Sequence, residues 1–181
     1  EILKDLENYQ NTINNLREVL DNYKTNIIYE DNWQKIKLGD ICDFEGGTQP
    51  PKTTFSKTQK PNYIRLLQIR DYKSDKFAIY IPKVERHKTC EKSDIMIGRY
   101  GPPVFQILRG KEGAYNVALM KCIPDNEKIT NDWLYYFLLS EPVQTKIISL
   151  SERVRQSGVR PDDLKELKIP LPNIDEQKKN L

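Results

Sequence analysis

The sequence predicts an α+β fold: a β-rich domain with a few short helices, preceded by a long coiled-coil helix. Three observations predict it. Ile2, Leu6, Tyr9, Ile13, Leu16, Leu20, Tyr23 and Ile27 recur at spacings of 4-3-4-3-4-3-4, the 3.5-residue period of a coiled-coil seam. From Trp33 to Pro124 short apolar stretches alternate with Gly, Pro and polar runs, the pattern of strands and turns. Beyond Pro124 the apolar spacing becomes helical, until a Pro-x-Pro stretch at Pro170 and Pro172 returns the chain to a strand.

The seam predicts a helix over residues 1–29 that packs on another helix. No second heptad stretch of that length follows, so its partner is expected in another chain or another part of the protein. Asp31-Asn32 reads as its stop. Trp33 to Gly39 alternates apolar and polar residues, as a first strand does. Asp40 to Phe44 reads as a short helix or a continuation of that strand. Glu45-Gly46-Gly47-Thr48-Gln49-Pro50-Pro51 is a loop, since glycine permits unusual backbone angles and proline forbids regular pairing. Residues 52–61 are polar and expected to be mobile. Asn62–Ile69, Phe77–Ile81, Ile95–Ile97, Val104–Leu108 and Ala114–Ile123 read as strands. Thr130 or Asn131 caps a helix through Trp133, Leu134, Phe137 and Leu138, and Pro142 opens a second carrying Val143, Ile147 and Ile148. Residues 151–158 read as a polar loop, and Pro161 starts a short helix. Lys168–Pro172 is an edge strand, because proline has no N–H for an inner ladder. Asn173 to Lys179 begins a further helix. The expected division is a heptad helix at 1–29, a domain at 30–172 and the start of a second helix at 173–181.

Charge is unevenly spread. Residues 1–32 carry a net −4, residues 33–111 a net +8 and residues 112–181 a net −1. A basic half-domain of that strength matches phosphate-bearing ligands, nucleic acid above all, or else is a solvated lysine-rich surface. No apolar run approaches the ~20 residues that cross a bilayer. The opening residues are acidic and helical rather than leader-like, so a cytoplasmic protein is expected. Cys42, Cys90 and Cys122 are odd in number and widely spaced, which suits three reduced thiols rather than a disulfide framework or zinc site.

Three segments resemble the specificity (S) subunits of type I restriction–modification systems. Trp33-x4-Leu38-Gly39-Asp40-Ile41 with Gly46-Gly47-Thr48-Gln49-Pro50 is similar to the start of that family's target recognition domain. Ser93-Asp94-Ile95-Met96-Ile97-Gly98-Arg99-Tyr100-Gly101 resembles its central strand and turn. Leu167-Lys168-Ile169-Pro170-Leu171-Pro172-x3-Glu176-Gln177 resembles the exit into a conserved helix. Two departures stand out: Gln49 displaces the expected proline by one place, and Val159-Arg160-Pro161-Asp162 replaces a Gln-x-Asn-like run. The resemblance implies a non-catalytic reader of one half of a split DNA target. It implies that the helices set the distance between halves. It also implies partners: methyltransferase subunits that use S-adenosylmethionine, and ATP-dependent restriction subunits that act as motor and nuclease. The chain itself would need no cofactor and no metal.

Candidate DNA-binding residues follow from side-chain chemistry. Arg99 can fork onto guanine, and Tyr100 can stack or wedge; the plainer role is a tight turn with an exposed arginine. Gly47 and Thr48 with Lys52 and Lys57 form a possible phosphate cradle, or an ordinary loop. Gln68 and Arg70 stand at a strand end, Gln suiting adenine, and Lys73 follows them. Arg153, Arg155, Gln156 and Arg160 make a second basic loop. Ile2, Leu6, Tyr9, Ile13, Leu16, Leu20, Tyr23 and Ile27 are the expected helix-packing interface. The aromatic cluster at Trp133, Tyr135, Tyr136 and Phe137 reads as core, Asn116 as a buried amide and His87 as a surface residue.

Catalysis finds no footing. Gly101-Pro102-Pro103-Val104 has the prolines of a base-methyltransferase tetrad but not its amide or its aromatic ring. Asp162 and Glu166 carry the letters of a nuclease, but their spacing is one helical turn. A single histidine leaves no Ser/His/Asp set. The alternatives are a coiled-coil protein-interaction module, and the recognition domain of a fused single-chain restriction–modification enzyme.

Overall fold

The structure, a computed structural model, describes residues 5–6, 8–13, 15, 32–101, 103–153 and 158–179. The described residues at 5–15 are helical, with Leu6, Tyr9 and Ile13 of the predicted seam exposed. Ile2, Leu16, Leu20, Tyr23 and Ile27 lie outside the described residues.

Ten strands follow: β1 (Gln34–Lys37), β2 (Cys42–Gly46), β3 (Tyr63–Leu67), β4 (Ile79–Pro82), β5 (Thr89–Cys90), β6 (Met96–Gly98), β7 (Gln106–Leu108), β8 (Gly113–Tyr115), β9 (Leu119–Pro124) and β10 (Lys168–Leu171). Four α-helices complete the described fold: α1 (Asn131–Leu139), α2 (Glu141–Arg153), α3 (Pro161–Lys165) and α4 (Ile174–Lys179). The architecture is β-rich α+β with few short helices, as the patterning predicts. The strands form a two-stranded ribbon, β1-β10, and two four-stranded sheets, β2-β9-β6-β7 and β4-β3-β8-β5. All pairings are antiparallel except β3 with β8.

The hydrophobic effect explains the layering. Successive strand residues face opposite ways. On β6 and the residue before it, Ile95 and Ile97 join one large core with Trp33, Leu38, Trp133, Leu134, Phe137 and Leu164. Met96 turns the other way, into a second core with Leu67, Cys90, Tyr115 and Leu119. β3 behaves alike, sending Leu67 to that core and Leu66 to a third with Ile81 and Ala114. Strands buried on both faces read as continuous apolar runs, which is why they were legible.

Several expected boundaries shift. Residues 114–123 are two strands, because Asn116 accepts the Ala118 N–H at 3.1 Å through its side chain and turns the chain between them. Residues 52–61 are not shapeless: Lys52–Thr54 is a 3-10 turn, and Ser56 bridges to Tyr80. Asp40 closes a 3-10 turn, and β2 runs on through Gly46 into the expected loop. Phe77 lies before β4, in a 3-10 turn whose first residues are capped by the Ser74 hydroxyl. The helix α2 extends to Arg153, into the expected polar loop.

Candidate nucleic-acid interface

The first and last described strands close on each other. β1 pairs with β10, aligning Ile36 with Ile169. Trp33 meets Trp133 edge to face, with ring centres 5.4 Å apart, and the Trp133 indole N–H points to the Pro170 carbonyl at 3.4 Å. Gln177 of α4 is fully buried. Its Oε1 accepts the Thr130 N–H at 2.8 Å, while its Nε2 donates to Lys128 O at 2.8 Å and Pro172 O at 2.9 Å. The Thr130 hydroxyl in turn accepts the Trp133 N–H and caps α1.

At the expected phosphate cradle of Gly47-Thr48 the backbone donors are already engaged. The Gly47 N–H is spent on Leu119 O and the Thr48 N–H on Tyr115 O, each at 3.1 Å. Gly47 also serves close approach: a Cβ there would stand 2.2 Å from Asn116 O. Thr48 keeps only its hydroxyl, 3.4 Å from His87 Nδ1. His87 is half-buried rather than at the surface, and burial followed by neighbouring Arg86 holds its ring below the usual histidine range.

Lys52 and Gln68 do come together. With Gln49, Pro50, Pro51, Phe55, Leu66 and Asn116 they line a cleft of about 570 Å³. The Gln68 Nε2 is buried without a hydrogen-bond partner among the described residues. Lys57 is exposed nearby in sequence, beyond the bridge at Ser56.

Arg70 sits in the 3-10 turn Ile69–Tyr72 that follows β3, and Lys73 caps its end; both are exposed. Asp71 of that turn is fully buried. It accepts the Gln68 N–H at 2.7 Å and stands 3.5 Å from the Arg65 guanidinium. Burial raises its carboxyl above the usual range, against the pull of that hydrogen bond and of Arg65.

Arg99 is already engaged. Its Nε donates to Val159 O at 3.1 Å and its Nη1 to Val117 O at 3.3 Å, while the Arg99 carbonyl accepts the Val159 N–H at 3.2 Å. Tyr100 packs on Gly158: a Cβ at Gly158 would meet its ring at 2.4 Å, and φ of +111° there also favours glycine. Arg99 therefore fastens the residue 158–160 loop to the end of β6. Arg160 N–H and Nε both address Asp163 Oδ2, capping α3. Arg153 ends α2. Arg155 and Gln156 lie outside the described residues.

Gln49, Lys60, Lys76, Phe77, Lys83 and Arg86 stand on the same stretch of chain as the expected residues Lys52, Lys57, Gln68, Arg70 and Lys73. Charge is dense there. Residues 48–87 hold nine Lys/Arg against Asp71, Asp75 and Glu85. Of the nine, only Arg65 is ion-paired with a described residue. Lys88, Lys92, Arg109, Lys111, Lys121 and Lys128, by contrast, all meet carboxylates. No three His, Cys, Asp or Glu side chains gather among the described residues, and none of their helices is long and apolar enough to cross a membrane.

Comparison with known proteins gives one answer. Residues 30–181 match the family described as the type I restriction modification DNA specificity domain. A curated relative, the type I restriction enzyme MjaVIII specificity subunit of Methanocaldococcus jannaschii, is 24% identical over 220 residues, covering 98% of this chain and 49% of the relative. The S subunit of a type I restriction–modification system from M. genitalium has the same fold, with a TM-score of 0.68 at 17% identity over 98% of this chain and 48% of that one. So does the HsdS subunit of Thermoanaerobacter tengcongensis, with a TM-score of 0.62 at 18% identity over 98% and 44%. The chain thus spans about half the length of these proteins. The three segments that carried the resemblance meet around Trp33, Trp133 and Pro170 and along β6, and the chain belongs to the type I restriction–modification DNA specificity family.

Proposed function

We propose that this chain is a DNA-reading module of a type I restriction–modification complex, which recognises one half of a bipartite duplex target and leaves catalysis to its partners. The observation that carries the reading is the run of eight Lys and Arg between Lys52 and Arg86 with no carboxylate partner among the described residues. Exposed ion pairs contribute little to stability, and a concentrated set of cations left without them suits phosphates. The cleft between Gln49, Gln68 and Asn116 adds amides of the kind that read base edges. The exposed stripe of Leu6, Tyr9 and Ile13 continues the heptad seam and fits a second helix of the same type, in another chain or another part of the protein. Division at residues 30 and 172 belongs to the same reading, as do methyltransferase and restriction subunits as partners.

The test is selection from a pool of random-sequence duplexes, using the full-length protein with its methyltransferase subunits. A single enriched motif, half of it lost when residues 30–172 are exchanged for those of a relative, is the expected result. Enrichment of no motif removes the reading.

A further inference from the structure

The connection from β3 to β4 sorts its side chains by charge. It consists of the 3-10 turns Ile69–Tyr72 and Asp75–Phe77. Both its carboxylates are taken. Asp71 is buried beside Arg65, and Asp75 lies 2.6 Å from the Arg65 guanidinium and 2.7 Å from Lys111 Nζ. Its cations are not: Arg70, Lys73 and Lys76 are exposed and make no ion pair with any described residue. Phe77 stands among them, 52% exposed. The Arg70 guanidinium carbon is 5.4 Å and the Lys76 ammonium 5.8 Å from its ring centre.

An exposed phenylalanine forgoes the stabilisation of burial, so its position asks for an occupant. The surroundings decide which. The central patch of a protein interface is poor in charge and especially in lysine, whereas this ring is flanked by a lysine and an arginine. Nucleic acid offers the matching surface, with stacked apolar bases between two lines of phosphates. Apolar wedges flanked by basic residues kink duplexes by entering between base steps. We propose that Phe77 is such a wedge: its ring enters the base stack of the bound duplex while Arg70, Lys73 and Lys76 hold the flanking phosphates. The proposal rests on the DNA-reading function and adds a distortion of the target that this function does not itself require.

The experiment measures unwinding. A nicked plasmid carrying tandem copies of the selected motif is sealed by ligase with the full-length protein bound, then stripped of protein and resolved into topoisomers. Wild type is expected to shift the distribution, because partial intercalation untwists the helix. Phe77→Ala should lower affinity for the motif by about tenfold and the shift per bound protein by about threefold or more. Phe77→Trp should keep both. Because the ring is exposed, Phe77→Ala should melt as wild type does, which separates the effect from misfolding. An equal shift by Phe77→Ala at equal occupancy overturns the wedge. So does wild-type binding to the selected motif without any shift, and the DNA-reading function then stands. Failure to select a motif at all removes both.

Discussion

At the scale of residues, the structure supplies partners that the sequence hides for side chains whose chemistry it displays. Arg99 is the clearest case. An arginine between two glycines invites a base-reading role, yet its guanidinium is fixed by carbonyls at Val117 and Val159, the second sixty residues away. No local pattern encodes such a bond. Gly47 was legible as special, and the approach of the Asn116 carbonyl, which leaves no room for a Cβ, is a reason the sequence does not show. Glu45 shows how a titrating group enters the same region. It takes Lys88 Nζ at 2.7 Å and the Tyr115 hydroxyl at 2.9 Å, and the Lys88 bond, opposed by burial and helped by Tyr115, holds its carboxyl below the usual range. A depressed carboxyl stabilises the fold above its unfolded pKa of about 4.3, and that contribution fades as pH falls through its folded value. Glu45→Gln is therefore expected to lower the urea midpoint at pH ~7, with the gap to wild type closing below pH ~4. A gap of constant size from neutral to acid pH would assign the loss to packing instead.

At the scale of elements, strands buried on both faces were the most legible, because Ile95, Met96 and Ile97 leave no polar phase to misread. Breaks made by a single side chain were the least. Asn116 divides β8 from β9 inside a stretch that is apolar throughout, and Ser74 draws Phe77 into a turn although Phe77-Ala78-Ile79 looks like strand. The exit segment was recognised as a motif, but its motive lies in geometry. Gln177 reaches three backbone groups in the turn before α1 and at the end of β10, and so joins helix, cap and strand. Both ends of its amide are used, which makes Gln177→Glu an informative substitution. The new oxygen would face the carbonyls of Lys128 and Pro172, with no proton between them at neutral pH. Each buried group so orphaned costs ~1–3 kcal/mol, and a total loss of about 3 kcal/mol in chemical denaturation is expected at pH 7. Protonation of the new carboxyl restores one donor, so part of the loss should return near pH 4. A variant as stable as wild type would mean that α4 is not held by this residue.

At the scale of the whole molecule, composition pointed to a polyanion and topology shows where the field concentrates. A net charge of +3 gives little hint of it, because the acidic segment before residue 33 cancels most of the surplus. Within the domain, ion pairs consume Lys88, Lys92, Arg109, Lys111 and Lys121, whereas of the cations from Lys52 to Arg86 only Arg65 meets a described carboxylate. This partition makes a quantitative prediction. Each phosphate neutralised releases counterions and contributes about −0.9 to the slope of log K against log salt. Lys52→Ala, Lys57→Ala and Lys73→Ala should each flatten the slope by about one unit if that side chain sits on a phosphate, and should weaken specific and random duplexes alike. Lys92→Ala and Lys128→Ala, which break ion pairs elsewhere on the domain, should leave the slope unchanged. Titration at several salt concentrations by fluorescence anisotropy decides the matter. If the two groups of variants change the slope equally, the charge acts as a diffuse field and no particular face of the domain meets the duplex. If only the first group does, the surface between Lys52 and Arg86 is the one that docks.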